Sequence, residues 1–239
     1  MEIISLNNED LKKDDKNKSD EALLSITDLK QGVKNPNRVN VFINGKYSFS
    51  LDLTQVVDFK LKIGKEITNQ QLLEYKKASE FGKLYQRTLE WVLIRPRSVR
   101  ETKDYLVRKI RKSSSDTLKG ARPSLRSSED ISDFSEEIID RLVSKGYVDD
   151  RRFAEFYVEN RFVKKGISRK RLQMELMKKG VAREIIDEVL GARNDETEIL
   201  KVIAKKRSKY DDEKLIQYLC RQGFDYQLVQ NLVQNYEKD

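Results

Sequence analysis

Histidine does not occur in this chain. The imidazole that most often serves as general base, nucleophile partner or metal ligand near neutral pH is therefore missing. Cysteine occurs once, at Cys220, which excludes an internal disulfide and a thiolate-cluster zinc site. Long apolar runs are absent as well. None approaches the ~18 residues of a membrane-spanning helix. The opening Met-Glu-Ile-Ile-Ser-Leu-Asn-Asn-Glu-Asp is acidic and lacks the apolar centre of a secretion signal. A reducing cytoplasm is the expected compartment. No Gly-x-x-x-x-Gly-Lys-Ser/Thr cradle for nucleotide phosphates is present. No cofactor and no catalytic activity are expected.

Charge is plentiful instead. Charged residues make up 37% of the chain and hydrophobic ones 38%. Each element then has only a thin apolar face, which suits several small helical units better than one thick core. A net charge of +8 and a pI near 9.3 point to an anionic partner. The surplus is concentrated. Between Arg161 and Arg183 lie nine cations (Arg161, Lys164, Lys165, Arg169, Lys170, Arg171, Lys178, Lys179 and Arg183) against one acid, Glu175, so this window carries 9 − 1 = +8. The remainder of the chain sums to zero.

Taken in order, residues 1–24 are polar and read as a disordered tail. Residues 25–67 are the β-like part. Val39, Val41 and Ile43 alternate with polar or outward residues, Asn44-Gly45 follows, and Lys46 to Leu51 alternates again. Asn-Gly between alternating runs is the strongest short hairpin signal, because both turn residues must accept positive φ. With a turn at Gly64 before Glu66-Ile67, about three strands are expected. Thr68-x-x-Gln71 reads as a capping box that opens a helix through Trp91, with Gly82 as a break or kink, and Pro96 ends it. Ser98-x-x-Glu101 opens the next helix. The Ser-rich stretch 112–130 reads as a flexible insertion, and Asp133-x-x-Glu136 as the cap of the helix after it.

An internal repeat emerges from the apolar positions. Leu106, Leu176 and Leu219 occupy matching places. Ile185-Ile186-x-x-Val189 matches Leu228-Val229-x-x-Leu232, each nine residues beyond its leucine, and Ile138-Ile139-x-x-Leu142 matches upstream, displaced by the insertion. Gly180 and Gly223 stand four residues after their leucines, where a left-handed glycine closes a helix. The expectation is a mostly α fold: three tandem three-helix repeats forming an elongated curved array, preceded by a small N-terminal β-hairpin or sheet. Its segments would be a tail at 1–24, a β segment at 25–67 and repeats at 68–147, 148–193 and 194–239.

In Arg95-Pro96-Arg97-Ser98-x-x-Glu101, Gly146-Tyr147-Val148-Asp149-Asp150-x-x-Phe153-Ala154, Arg161, Lys165-Gly166, Leu176, Lys179-Gly180-Val181 and Leu219-x-x-x-Gly223-Phe224, the chain resembles the RecX family of regulators of RecA recombinase. The resemblance spans about residues 25–236. It implies helical repeats, no catalysis, a cytoplasmic location, and binding to the RecA–DNA filament that modulates strand exchange in DNA repair, recombination and the SOS response. RecA and single- and double-stranded DNA are the partners it implies, for a protein expected to be a monomer. The tail and the insertion depart from the family pattern.

The basic window has a bland reading, a solvated face with lysines at helix C-termini where cations suit the dipole. Its single counter-charge argues against that reading. Ser168 is placed to cap a helix whose first turn holds Arg169, Lys170 and Arg171, a natural phosphate site. The cations do not fall on one stripe of a helical wheel, so a surface that tracks a nucleic-acid backbone is expected rather than one that reads bases. Arg161, towards an apolar face, is read as an ion pair or carbonyl cap joining two helices, or as a rim contact to phosphate. A secondary basic patch is expected at Arg95, Arg97 and Arg100. Asp149 reads as the cap of a helix and Asp150 as a complement to the dipole at its N-terminus, not as a metal or general-base pair. Tyr147, Phe153, Tyr157 and Trp91 read as core, and Cys220 as packed and inert. The alternative function is a nucleic-acid-binding helical-repeat protein that is sequence-tolerant and acts without RecA.

Overall fold

The computed structural model describes residues 23–33, 35–116, 128–162, 166–191 and 193–236; of residues 113–116, 128–131 and 161–162 it describes the backbone only. Most of the tail, much of the insertion, and Lys164 and Lys165 lie outside the described residues. The chain is mostly helical, with ten helices and one antiparallel four-stranded sheet among the described residues. It divides into two compact units between Lys83 and Leu84.

The first unit carries the sheet, in the order β3-β2-β1-β4. Strand β2 (Arg38–Ile43) and strand β3 (Lys46–Asp52) form the expected hairpin. Asn44 and Gly45 take φ of 49° and 77°, the conformation a two-residue hairpin turn demands. Strand β1 (Leu24–Gln31) pairs with β2, and the short β4 (Glu66–Ile67) pairs with β1. The sheet thus has one strand more than the alternation shows. A register shift between Ile26 and Asp28 breaks the period of β1, which hides it in the sequence and carries the fold into the stretch read as tail, at Leu24. Helix α1 (Leu53–Asp58) is also unexpected. Its start is a full capping box: Asp52 accepts from the Gln55 amide, and the Gln55 side chain accepts from the Asp52 amide. Ile26, Val41, Phe49, Leu51 and Ile67 form the core, closed by Leu61 and Tyr75.

Helix α2 (Asn69–Leu93) starts at the expected box, with Thr68 and Gln71 bonded reciprocally, and runs unbroken past Gly82. A Cβ at Gly82 would stand 3.2 Å from the Gln55 side chain, so this glycine serves the close approach of α1 rather than a kink.

In the second unit the end of α2 is followed by α3 (Val99–Asp116) and α4 (Ser128–Ser144), then α5 (Asp150–Phe162), α6 (Arg169–Lys178) and α7 (Arg183–Leu190), then α8 (Asp195–Lys206), α9 (Asp212–Arg221) and α10 (Tyr226–Gln234). Both ends of the expected insertion are helical: α3 continues to Asp116 and α4 begins at Ser128, which puts Asp133 inside a helix rather than at its cap. Helices α5–α7 enclose Phe153, Ala154, Ile167, Leu172, Leu176, Ile186 and Leu190; α8–α10 enclose Ile199, Ile203, Leu215, Leu219, Val229 and Val233. The three matched leucines, Leu106, Leu176 and Leu219, are all fully buried. In α7 and α10 the deepest pair lies at Ile186 and Leu190, and at Val229 and Val233, while Ile185, Val189, Leu228 and Leu232 pack at the margin.

The second helices close alike. Gly180 and Gly223 take φ of 83° and 91°. In each case the glycine N–H and the N–H that follows turn back onto the last helical carbonyls: Gly180 to Met177 and Val181 to Leu176, then Gly223 to Cys220 and Phe224 to Leu219. Gly146 ends α4 in the same way.

Candidate nucleic-acid interface

The basic window is built around α6. Ser168 caps it, accepting from the Arg171 amide. The first amide of the helix, that of Arg169, donates 2.8 Å to the Asp195 carboxylate of α8. The helix start read as a phosphate site thus has a carboxylate of the chain itself on its first amide.

The same arrangement recurs one repeat earlier. Ser98 caps α3, accepting from Glu101, and the first amide of α3, that of Val99, donates 2.9 Å to the Asp150 carboxylate of α5. Each joint adds a glycine. The C-terminal turn of α6 abuts the start of α3, with the Cβ site of Gly180 at 2.7 Å from Arg100 Cβ. The C-terminal turn of α9 abuts the start of α6, with the Cβ site of Gly223 at 2.7 Å from Ser168 Oγ. Ser98 Oγ also donates to the Lys179 carbonyl, and the Ser168 amide to that of Gln222. The second helices α9, α6 and α3 therefore follow one another end to end. Asp149 caps α5 as expected, while Asp150, read as a dipole partner, spans to the preceding repeat.

These joints absorb several of the expected site residues. Arg171 donates to the Arg221 carbonyl at 2.8 Å and stands 3.4 Å from Glu175. Lys179 donates 2.7 Å to Glu101, which also faces Arg95 at 3.3 Å and Arg97 at 4.0 Å. Burial pushes the Glu101 carboxyl up, but the Lys179 hydrogen bond and the Arg95 charge outweigh it and hold the group below the usual range. Arg97 lies 3.9 Å over Trp91, whose ring stacks on Tyr105 at 4.3 Å. Arg95 and Arg97 thus gather on Glu101 within the first repeat, and Lys179 ties that carboxylate to the second.

Other cations remain open. Lys170, Lys178, Arg183 and Arg100 are exposed and Arg169 is half-buried; Arg183 faces Asp187 of its own helix at 3.7 Å. Arg161 lies on the last turn of α5, its side chain outside the described residues. The structure also exposes Arg108, Lys109 and Arg111 on α3, which the sequence reading passed over. Their signal was the run Arg108-Lys109-Ile110-Arg111-Lys112, four cations without an acid. Among the described residues no group of His, Cys, Asp and Glu could hold a metal ion, and no helix is long and apolar enough to cross a membrane.

Comparison with known proteins places the chain among sequence and structural relatives. The family description "RecX, second three-helix domain" matches residues 149–190, and "Regulatory protein RecX N-terminal domain" matches residues 25–68. A regulatory protein RecX of Bacillus licheniformis is 30% identical over 226 residues, covering 90% of this chain and 79% of that protein. One of Listeria monocytogenes is 27% identical, covering 86% and 73%. A crystal structure of regulatory protein RecX superposes with a TM-score of 0.62 at 20% identity, over 90% of this chain and 100% of that one, and shows the shared fold.

Proposed function

The chain belongs to the RecX family, and from that premise we propose that it is a non-catalytic cytoplasmic regulator that binds the RecA–DNA filament and modulates its recombinase and ATPase activity in DNA repair, recombination and the SOS response. The observation that carries this reading is the distribution of charge along the joined second helices. Arg100, Arg108, Lys109 and Arg111 on α3 and Lys170 and Lys178 on α6 are exposed, with Arg183 and Arg169 beside them and Arg161, Lys164 and Lys165 in the adjoining sequence. Cations spread over consecutive helices suit a polyanion followed along its length, because each phosphate neutralised releases counterions whatever the base. The mechanism is steric and electrostatic. Occupying the filament shifts its assembly against its disassembly and keeps incoming duplex out, with no cofactor required.

The test is RecA strand exchange and single-stranded-DNA-dependent ATPase with and without this protein. A change in both at stoichiometric levels is expected. No effect would refute the reading.

A further inference from the structure

Helix α6 has apolar residues on two opposite faces. Leu172 and Leu176 are fully buried in the repeat's core, while Met174 and Met177, on the other side, stay 50% and 51% exposed. At 100° per residue Lys170, Gln173, Met174, Met177 and Lys178 share one outward arc. Lys170 and Lys178 are exposed at its two ends, about 12 Å apart at 1.5 Å per residue. Glu175, the sole acid of the window, is off this arc, bonded to Tyr157 and Arg171.

The repeat itself supplies the comparison. The positions matching Met174, two before the buried leucine, are Asp104 in α3 and Gln217 in α9, both exposed. The positions matching Met177 are Val107 and Cys220, both partly buried. The fold therefore places a polar residue at this outward site in two repeats and a methionine in one. Packing gives no reason for it, and neither does a surface that only follows phosphates, which gains from cations and nothing from an apolar centre.

We propose that the outward arc of α6 is a protein-docking surface, with Met174 and Met177 seated in an apolar depression of a partner whose rim carries carboxylates towards Lys170 and Lys178. This rests on the proposed function and refines it: α6 meets the protein component of the filament, and the cations of α3 are left to the phosphates. Methionine suits the role, since its flexible thioether fits an imperfect pocket and its flanking charges orient the encounter.

The experiment uses the full chain with Met174→Gln and Met177→Gln together, changes that keep helix propensity, and the charge variant Lys170→Glu. Binding is measured to naked single-stranded DNA and to RecA-coated single-stranded DNA. The double variant should retain its circular dichroism and its affinity for naked DNA, yet bind the coated DNA roughly tenfold to a hundredfold more weakly, the loss set by the exposed halves of two methionines. Lys170→Glu should weaken coated-DNA binding as well. A parallel loss on naked DNA would overturn the proposal in favour of methionines inserted among bases. Unchanged binding to coated DNA, where the wild type binds it tightly, would overturn the stripe alone. A wild type that binds coated and naked DNA alike would overturn the function and the proposal together.

Discussion

Replacing Gly180 by alanine puts two separate costs on the protein, and the other repeats allow them to be measured apart. Gly146, Gly180 and Gly223 all end helices at positive φ, 70°, 83° and 91°. A side chain there strains the backbone by about 1–2 kcal/mol. Around Gly146 a Cβ would meet nothing within 4 Å, so Gly146→Ala should cost that strain alone. At Gly180 the new methyl would stand 2.7 Å from Arg100 Cβ, and at Gly223 it would stand 2.7 Å from Ser168 Oγ and 3.2 Å from Arg171 Cβ. None of these is the loose end of a long side chain, so helix starts must move. Overpacking of this kind costs roughly 1–3 kcal/mol, for a total of roughly 2–5 kcal/mol. Urea titrations followed by circular dichroism should rank Gly146→Ala above the other two in stability. Amide exchange should report the place: the N–H groups of Val99 in Gly180→Ala and of Arg169 in Gly223→Ala should exchange faster, as their carboxylate partners are pushed away. If the three variants agree within about 0.5 kcal/mol, the joints are not packed as described.

Truncation of Leu176 to Ala, a fully buried residue, should destabilise by roughly 2–5 kcal/mol in the same titration. Arg108, Lys109 and Arg111, exposed on α3, changed together to Ala should leave the melting temperature nearly intact while weakening DNA binding and lowering the salt slope by up to about three, one for each phosphate no longer neutralised. Adding Arg171→Ala should lower the melting temperature as well, because it leaves the Arg221 carbonyl without its guanidinium. Two carboxylates give opposite pH responses. The Glu101 group is held low, so its contribution to stability is present above the usual carboxylate range and is lost as pH falls through its lowered value; Glu101→Gln should flatten the acid limb of melting temperature against pH. Burial, with the Asp149 charge, raises Asp150 despite the Val99 hydrogen bond, so its contribution is greatest below the usual range and is lost as pH rises to its raised value. Asp150→Asn keeps an acceptor for Val99 and should be neutral or stabilising at pH 7, whereas Asp150→Ala should cost roughly 1 kcal/mol as a lost cap does.

The sequence showed what is local. Asn44-Gly45, Thr68-x-x-Gln71 and the caps Ser98, Ser168 and Asp149 each act within a few residues, and the structure has them in place. Strand β1 was hidden by its bulge and α1 by its brevity, six residues directly after an alternating run. The apolar pattern of the third helices was legible, while adjacent apolar residues such as Ile185 and Ile186 leave undecided which of them faces inward. The joints were illegible for a different reason. Val99 meets Asp150 across 51 residues, Arg169 meets Asp195 across 26 and Lys179 meets Glu101 across 78. Counting charge in a window cannot tell a cation held by another part of the fold from one facing solvent, so Arg171, Lys179, Arg95 and Arg97 looked equivalent to Lys170 and Arg183.

The joints also set an order on synthesis. Helix α3 begins at Val99, yet the carboxylate that caps its first amide is at Asp150 and the carbonyl that takes its Ser98 hydroxyl is at Lys179. A growing chain that has just completed α3 therefore holds a helix with an unfinished start, and it remains so until nearly all of the second repeat has left the ribosome. The same holds for α6, which waits for Asp195 and for the Gln222 carbonyl. Each repeat is finished by its successor, so consolidation runs one repeat behind elongation. A nascent chain released after the second repeat would expose the Arg169 amide and the first-turn cations Arg169, Lys170 and Arg171 together, a bare anion socket that the complete protein keeps filled with its own carboxylate.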